Sequence, residues 1–92
     1  MKIVQSRSFE RKVKRLKKQE KGILDSEIRR IVSDPSIGTE KKGDLRGVYV
    51  HKFNIHSTQY LLAYRIDEET LGLIMLGPRE NYYRDLKKVL NG

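Results

Sequence analysis

The apolar residues of this chain change their period once, near Gly47, and that change leaves few folds open. Before it they recur every three or four residues: Phe9, Val13 and Leu16, then Leu24, Ile28, Ile31 and Val32. That spacing puts each set on one side of a helix. After it they alternate. Val48, Val50, Lys52 and Asn54 share one face of an extended strand, and Tyr49, His51, Phe53 and Ile55 share the other. A helical half followed by an alternating half predicts an α+β fold, with helices packed on one face of a mostly antiparallel sheet.

The remaining punctuation sets the element order. Lys2–Gln5 reads as a first strand, and Ser6 and Ser8 are candidate N-caps for the helix that follows. Gly22 breaks the helical pattern, so two helices are expected to form an antiparallel hairpin joined near it. Asp34-Pro35 ends the second helix, because the residue before proline avoids the helical region. Ser36–Gly47 reads as an exposed connector. His56–Gln59 makes a turn, and Tyr60–Ile66 is the next strand, with Leu61, Ala63 and Arg65 opposite Tyr60, Leu62, Tyr64 and Ile66. Asp67–Thr70 is a second turn. Leu71–Leu76 is apolar except at Gly72, as a central strand covered on both sides requires. Gly77-Pro78 stops it, and Asn81 caps a short helix through Leu90. The expectation is one domain over residues 1–92: an N-terminal strand, an antiparallel helix hairpin, a three-stranded antiparallel meander and a short C-terminal helix. One sheet face is expected to be free.

The charge balance narrows the partners. Twenty Lys and Arg stand against twelve Asp and Glu, a net charge of +8. An anionic partner is expected: nucleic acid, the ribosome or an acidic protein. There is no cysteine, which removes disulfides and thiolate catalysis. A reducing cytoplasm suits that composition. Two His and scattered carboxylates show no zinc or calcium spacing, so no metal or other cofactor is expected. No apolar run reaches the length of a membrane span, and neither a membrane nor a small-molecule ligand is expected as a partner.

Two stretches carry the candidate chemistry. Gly43–Asp67 reads GDLRGVYVHKFNIHSTQYLLAYRID, and Leu73–Leu90 reads LIMLGPRENYYRDLKKVL. Together they offer Lys, Arg, His and Tyr on one sheet face and its rim. That inventory suits metal-free RNA cleavage. There the ribose 2′-hydroxyl attacks the adjacent phosphorus, a base takes its proton, and cations hold the developing charge.

The element order and the wording HKFNI, YLLAYRI and GPRENYYRDL resemble the RelE/ParE superfamily of bacterial toxins, nearest its RelE-like and YafQ-like branch. The resemblance runs through almost the whole chain in element order and is specific from about Leu45 to Leu86. It implies a toxin of a type II toxin–antitoxin system, neutralised by a cognate acidic antitoxin that wraps it. The RelE branch implies a ribosome-dependent mRNA endonuclease, with mRNA on the ribosome and ribosomal RNA as partners. It also implies cleavage without a metal, leaving a 2′,3′-cyclic phosphate or 3′-phosphate end. The ParE branch shares the fold but poisons DNA gyrase without catalysis. A toxin fold that has lost catalysis and only binds its antitoxin is the third reading.

Site residues follow from the resemblance together with the strand parity. Lys52 matches a basic residue of RelE toxins, and as a phosphate ligand or base it competes with a plain solvated lysine. Asn54, about 6.6 Å away on the same face, stands where those toxins carry a second basic residue, and it is expected to touch RNA. His56 matches the region of a catalytic His in YafQ-like toxins, and histidine is the best-suited general base by type. Many RelE toxins have an Arg where this chain has Leu61. Arg65, about 13 Å further along the strand, is expected to bind RNA backbone or to pair with Asp67 or Glu68. Arg79, after Gly77-Pro78, matches a catalytic Arg or His, and its guanidinium fork suits a transition-state phosphate. Its bland alternative is a salt bridge to Glu80 or Asp85.

Tyr82 and Tyr83 match an aromatic that stacks on a base or transfers a proton. Tyr83 is the choice for the site, while Tyr82, also a candidate RNA contact, fits the core beside Leu86. Arg11, Lys14, Arg15 and Lys18, with Lys12, make a basic helix face, read either as a solvated surface or as a contact for RNA phosphates. His51, of opposite parity to Lys52, is expected to face the helices and make one hydrogen bond.

Overall fold

The computed structural model describes residues 1–91. It is an α+β fold of strands β1 (Lys2–Gln5), β2 (Thr39–Glu40), β3 (Tyr49–Ile55), β4 (Thr58–Asp67) and β5 (Thr70–Pro78), with helices α1 (Arg7–Arg15), α2 (Lys18–Ser33) and α3 (Tyr82–Asn91). The five strands form one sheet in the order β1-β5-β4-β3-β2. Only β1 runs parallel to its neighbour, with Lys2 opposite Thr70 and Gln5 opposite Leu73. The expected meander is present as β3, β4 and β5.

Ser6 starts α1 and also ties it to the sheet. Its hydroxyl accepts from the Phe9 N–H at 3.0 Å, which satisfies one of the orphan donors of the first turn. The same hydroxyl donates to the Ile74 carbonyl. Ile74 is the extra residue of a bulge, since Ala63 pairs with Met75 and Tyr64 with Leu73. The other serine considered as a cap, Ser8, lies inside the helix.

The helix break is not at Gly22. It falls at Leu16–Lys17, and Gly22 lies within α2. The Glu20 carboxylate reaches back to the Lys17 N–H at 2.7 Å and fixes the new start. The connector after Asp34 is also more ordered than its composition suggests. It contains two 3-10 turns, Pro35–Ile37 and Gly43–Leu45, and the edge strand β2, whose Thr39 and Glu40 pair with Val50 and Tyr49.

Two cores sandwich the sheet. On the first side Phe9, Leu16, Leu24 and Ile31 of α1 and α2 meet Phe53, Leu62, Tyr64 and Leu73. The Tyr64 hydroxyl donates to the Pro35 carbonyl at 2.6 Å and accepts from the Gly38 N–H at 3.0 Å. On the second side Leu45, Val48, Val50, Leu61, Ala63 and Met75 meet Tyr82 and Leu86 of α3. The second face is therefore not free. Alternation along β3 and β4 supplies too many apolar residues there to stay wet, and α3 turns back to cover them. Asn81 precedes α3 with φ +60°, and its carbonyl accepts from the Asp85 N–H at 3.1 Å.

Candidate nucleic-acid interface

Pairing register brings distant residues onto one end of the α3-covered face. Across three strands Lys52 stands opposite Leu61, and Leu61 opposite Gly77. One row further out, Asn54 stands opposite Gln59, and the Gln59 carbonyl accepts from the Arg79 N–H at 3.1 Å. Directly opposed residues point to the same side of a sheet, so Lys52, Asn54, Gln59 and Arg79 border one surface. It spans two strand spacings, about 10 Å. Lys52, Asn54 and Arg79 are exposed and Gln59 is half-buried. Neither Lys52 nor Arg79 takes part in an ion pair among the described residues. The salt bridge from Arg79 to Glu80 or Asp85, held open from sequence, is not formed.

The floor beside this row is buried and packed. Leu61 and Ala63 are fully buried beneath α3, so the position where resembled toxins carry an Arg holds a core leucine. Tyr82 is 1% exposed, and its hydroxyl donates to the Met75 carbonyl at 2.7 Å. Burial pushes its phenol well above the ordinary tyrosine range. A Cβ added at Gly77 would lie 3.5 Å from its ring, so strand and ring are in close contact. Tyr82 has no ring face open to a base, which corrects its candidacy as an RNA contact. Tyr83 is half-buried against the same core. It meets Tyr82 edge to face at 5.6 Å, and the Lys41 Nζ lies 5.0 Å from its ring centroid. One face of Tyr83 is thus engaged by a cation.

The other sequence candidates are dispersed. His56 lies at the tip of the β3–β4 hairpin, exposed, with φ +56°, two residues past Asn54. Arg65 is exposed and stands opposite Gly72, at the far end of β4 from the row, with no ion pair to Asp67 or Glu68. Arg11, Lys14, Arg15 and Lys18 are all exposed, but α1 packs on the opposite side of the sheet. Nine of the twenty Lys and Arg, and only two of the twelve carboxylates, fall in residues 1–22. Arg11 and Arg15 also border a cleft of about 390 Å³ between α1 and α3, with Glu80 and Asp85 on its other wall and Gly77-Pro78 between. His51 faces the helices as its parity required. Its Nε2 lies 2.7 Å from Glu27 Oε1, which also takes Arg30 at 3.1 Å.

Sequence reasoning missed Gln59, which it left in a turn. The turn is shorter: only His56 and Ser57 separate the strands, with Ile55 opposite Thr58. The left-handed backbone of His56 lets so tight a reversal form, and no residue pair there advertises it in the sequence. Among the described residues there is no group of three or more His, Cys, Asp or Glu placed to hold a metal, and no helix long and apolar enough to cross a membrane.

Comparison with known proteins gives a consistent relation. The model of a family described as the ParE-like toxin of type II bacterial toxin–antitoxin systems matches residues 3–87. No curated protein is matched by the sequence. Among solved structures, a substituted RelE toxin from E. coli in the free state is similar over 98% of this chain and 95% of its own, at 17% identity and TM-score 0.72. The intact E. coli RelBE toxin–antitoxin complex contains a chain similar over 86% of this one and 96% of its own, at 18% identity and TM-score 0.68. The RelBE2 toxin–antitoxin complex from Mycobacterium tuberculosis contains one similar over 85% and 96%, at 21% identity and TM-score 0.65. At these identities the likeness is one of fold.

Proposed function

The chain belongs to the ParE-like toxin family of type II bacterial toxin–antitoxin systems, and we propose that it acts as an endonuclease on mRNA held by the ribosome. The observation that carries this reading is that Lys52 and Arg79, in successive rows, border one surface, both exposed and neither paired with a carboxylate among the described residues. Two such cations on strands two spacings apart, about 10 Å, suit a phosphodiester bent for in-line attack. In this reading Arg79 holds the non-bridging phosphate oxygens through its guanidinium fork, and Lys52 adds charge from the other side. His56 takes the proton of the attacking 2′-hydroxyl. The bond from phosphorus to the 5′-oxygen breaks as the bond to the 2′-oxygen forms, and the leaving 5′-oxygen takes its proton from a water molecule. The product end is a 2′,3′-cyclic phosphate. Tyr83 stacks on a base beside the cut.

The basic residues of the first 22 positions supply a second, sequence-independent attraction for ribosomal RNA, which falls with salt. A cognate antitoxin is the protein partner; the RelE-like folds solved as RelBE complexes support that assignment. An antitoxin rich in acidic residues suits the net charge of +8.

Mapping of mRNA ends by primer extension tests the reading. Purified protein is added to a translation reaction and to a ribosome-free control. New 5′ ends in frame with codons, seen only with ribosomes, are expected. One observation favours a second reading: Leu61 is buried where resembled nucleases are basic. It suits gyrase inhibition without catalysis. Absence of new ends together with inhibited DNA supercoiling by the pure protein would select it.

A further inference from the structure

The row beside Arg79 contains two carboxamides, and their spacing has a chemical meaning. Asn54 and Gln59 are directly opposed on β3 and β4, which places their Cβ atoms about 5 Å apart on one face. Neither side chain is engaged in a side-chain hydrogen bond among the described residues. Each presents one acceptor and one two-proton donor. Gln59 is half-buried and its backbone carbonyl holds the Arg79 N–H, so the pair is fixed in position relative to the Arg79 backbone.

Each carboxamide complements a neighbouring donor and acceptor on a base edge. Adenine alone offers such a pair on both sides of its exocyclic amine: N6–H with N7 on one side, N6–H with N1 on the other. In cytosine the second side of the amine is a C–H. In guanine O6 lies between N7, an acceptor, and N1–H, so its two edges differ. Uracil carries no exocyclic amine. A single-stranded base splayed against the sheet exposes both edges, unlike a base in a duplex.

We infer that Asn54 and Gln59 form a two-amide reader of one adenine, set beside the scissile phosphate that Arg79 holds. The inference rests on the RNA-cleaving reading above for its biological use, but the recognition itself needs no cleavage. A good bidentate amide–adenine contact discriminates about tenfold or more against other bases. The neighbouring cations are indifferent to sequence, so loss of the amides removes preference and spares general affinity.

The test measures binding of short single-stranded RNAs carrying a 2′-O-methyl group at every position, so that no 2′-hydroxyl is free to attack and no cut can occur. One oligomer has a single adenine in a uracil background, and its control is all uracil. Fluorescence anisotropy is read for the wild type, Asn54→Ala and Gln59→Ala. The expected result is about tenfold tighter binding of the adenine oligomer by the wild type. In each variant the ratio falls to within about threefold of unity, while affinity for the all-uracil oligomer changes less than about threefold. Equal binding of the two oligomers by the wild type overturns the inference, as does a preference that survives both substitutions. Circular dichroism melts of the variants establish that they are folded. If the adenine preference behaves as stated but translation reactions show no new mRNA ends, the reader stands and the nuclease reading fails. If ends appear without any adenine preference, the reverse holds.

Discussion

The Tyr82 hydroxyl donates to the Met75 carbonyl at 2.7 Å, pinning the first turn of α3 to β5 a few residues from Arg79. Tyr82 is buried, and burial raises its phenol above the ordinary tyrosine range, as it does for Tyr64 under α2. In both cases the folded chain binds a proton more tightly than the unfolded chain. That stability is complete below the unfolded tyrosine pKa of about 10 and is lost as pH rises above it. Denaturant midpoints of the wild type are expected to fall more steeply between pH 10 and 11.5 than those of Tyr82→Phe. At pH 7 the same substitution costs about 1–2 kcal/mol, because the hydroxyl's hydrogen bond is lost. Parallel slopes for the two proteins would count against this account.

Arg79→Ala removes the guanidinium that borders the row. Growth arrest on expression is expected to disappear, with the rate of mRNA end formation down about 10²–10³-fold. Binding to the antitoxin, followed by co-purification, is expected to persist. Lys52→Ala should lower the rate by a smaller factor, about tenfold, since one of two cations remains. Arrest undiminished by Arg79→Ala would remove the proposed chemistry.

Two glycines give opposite outcomes on methylation. Gly22 sits within α2 with nothing within 4 Å of an added Cβ. Gly22→Ala is expected to stabilise the protein by about 0.5–1 kcal/mol, through helix propensity and a less free unfolded chain. For a domain of this size that raises Tm by about 4 °C. At Gly38 an added Cβ would fall 2.5 Å from the Tyr64 hydroxyl. That hydroxyl is held by two backbone partners, so it cannot give way cheaply. Gly38→Ala is expected to lower Tm in the same calorimetric measurement.

Leu61→Ala opens a cavity in the second core, at a residue with no exposure. A loss of about 2–5 kcal/mol is expected in urea denaturation. Leu61→Arg, which restores the residue type of the resembled toxins, buries a charge beneath α3 and should destabilise further. A folded, more active Leu61→Arg protein would mean that α3 lifts away during catalysis.

The helices, the meander and the α+β class were legible in the sequence because each rests on apolar periodicity, which burial enforces. Ser6 was legible as a cap, and His51 as a core residue, by parity and residue type. Three features were missed. Strand β2 is two exposed polar residues, and only its register with Val50 and Tyr49 makes it a strand. Gly22 read as a break because helix interiors disfavour glycine, yet packing of Leu24, Ile28 and Ile31 outweighs about 1 kcal/mol of propensity. The cover over the second face was in principle readable: Val48, Val50, Leu61, Ala63 and Met75 needed a lid, and Tyr82, Leu86 and Leu90 supplied one stripe. Of the candidate site, Lys52 and Arg79 were named from sequence, and the strand register sets them on one surface. Their partner Gln59 was hidden by a turn two residues shorter than its composition suggested.

Strand β1 pairs with β5 across the sheet edge, so Lys2–Gln5 must wait for residues made some seventy positions later. On a translating ribosome Lys2–Gln5 stays an unpaired strand until Thr70–Leu73 has emerged, and the Ser6 tether to Ile74 waits with it. The long loop this closes makes sheet assembly a late, non-local event. A copy halted before Thr70 is therefore an open sheet, in which the surface that Lys52 and Arg79 border has not yet been assembled.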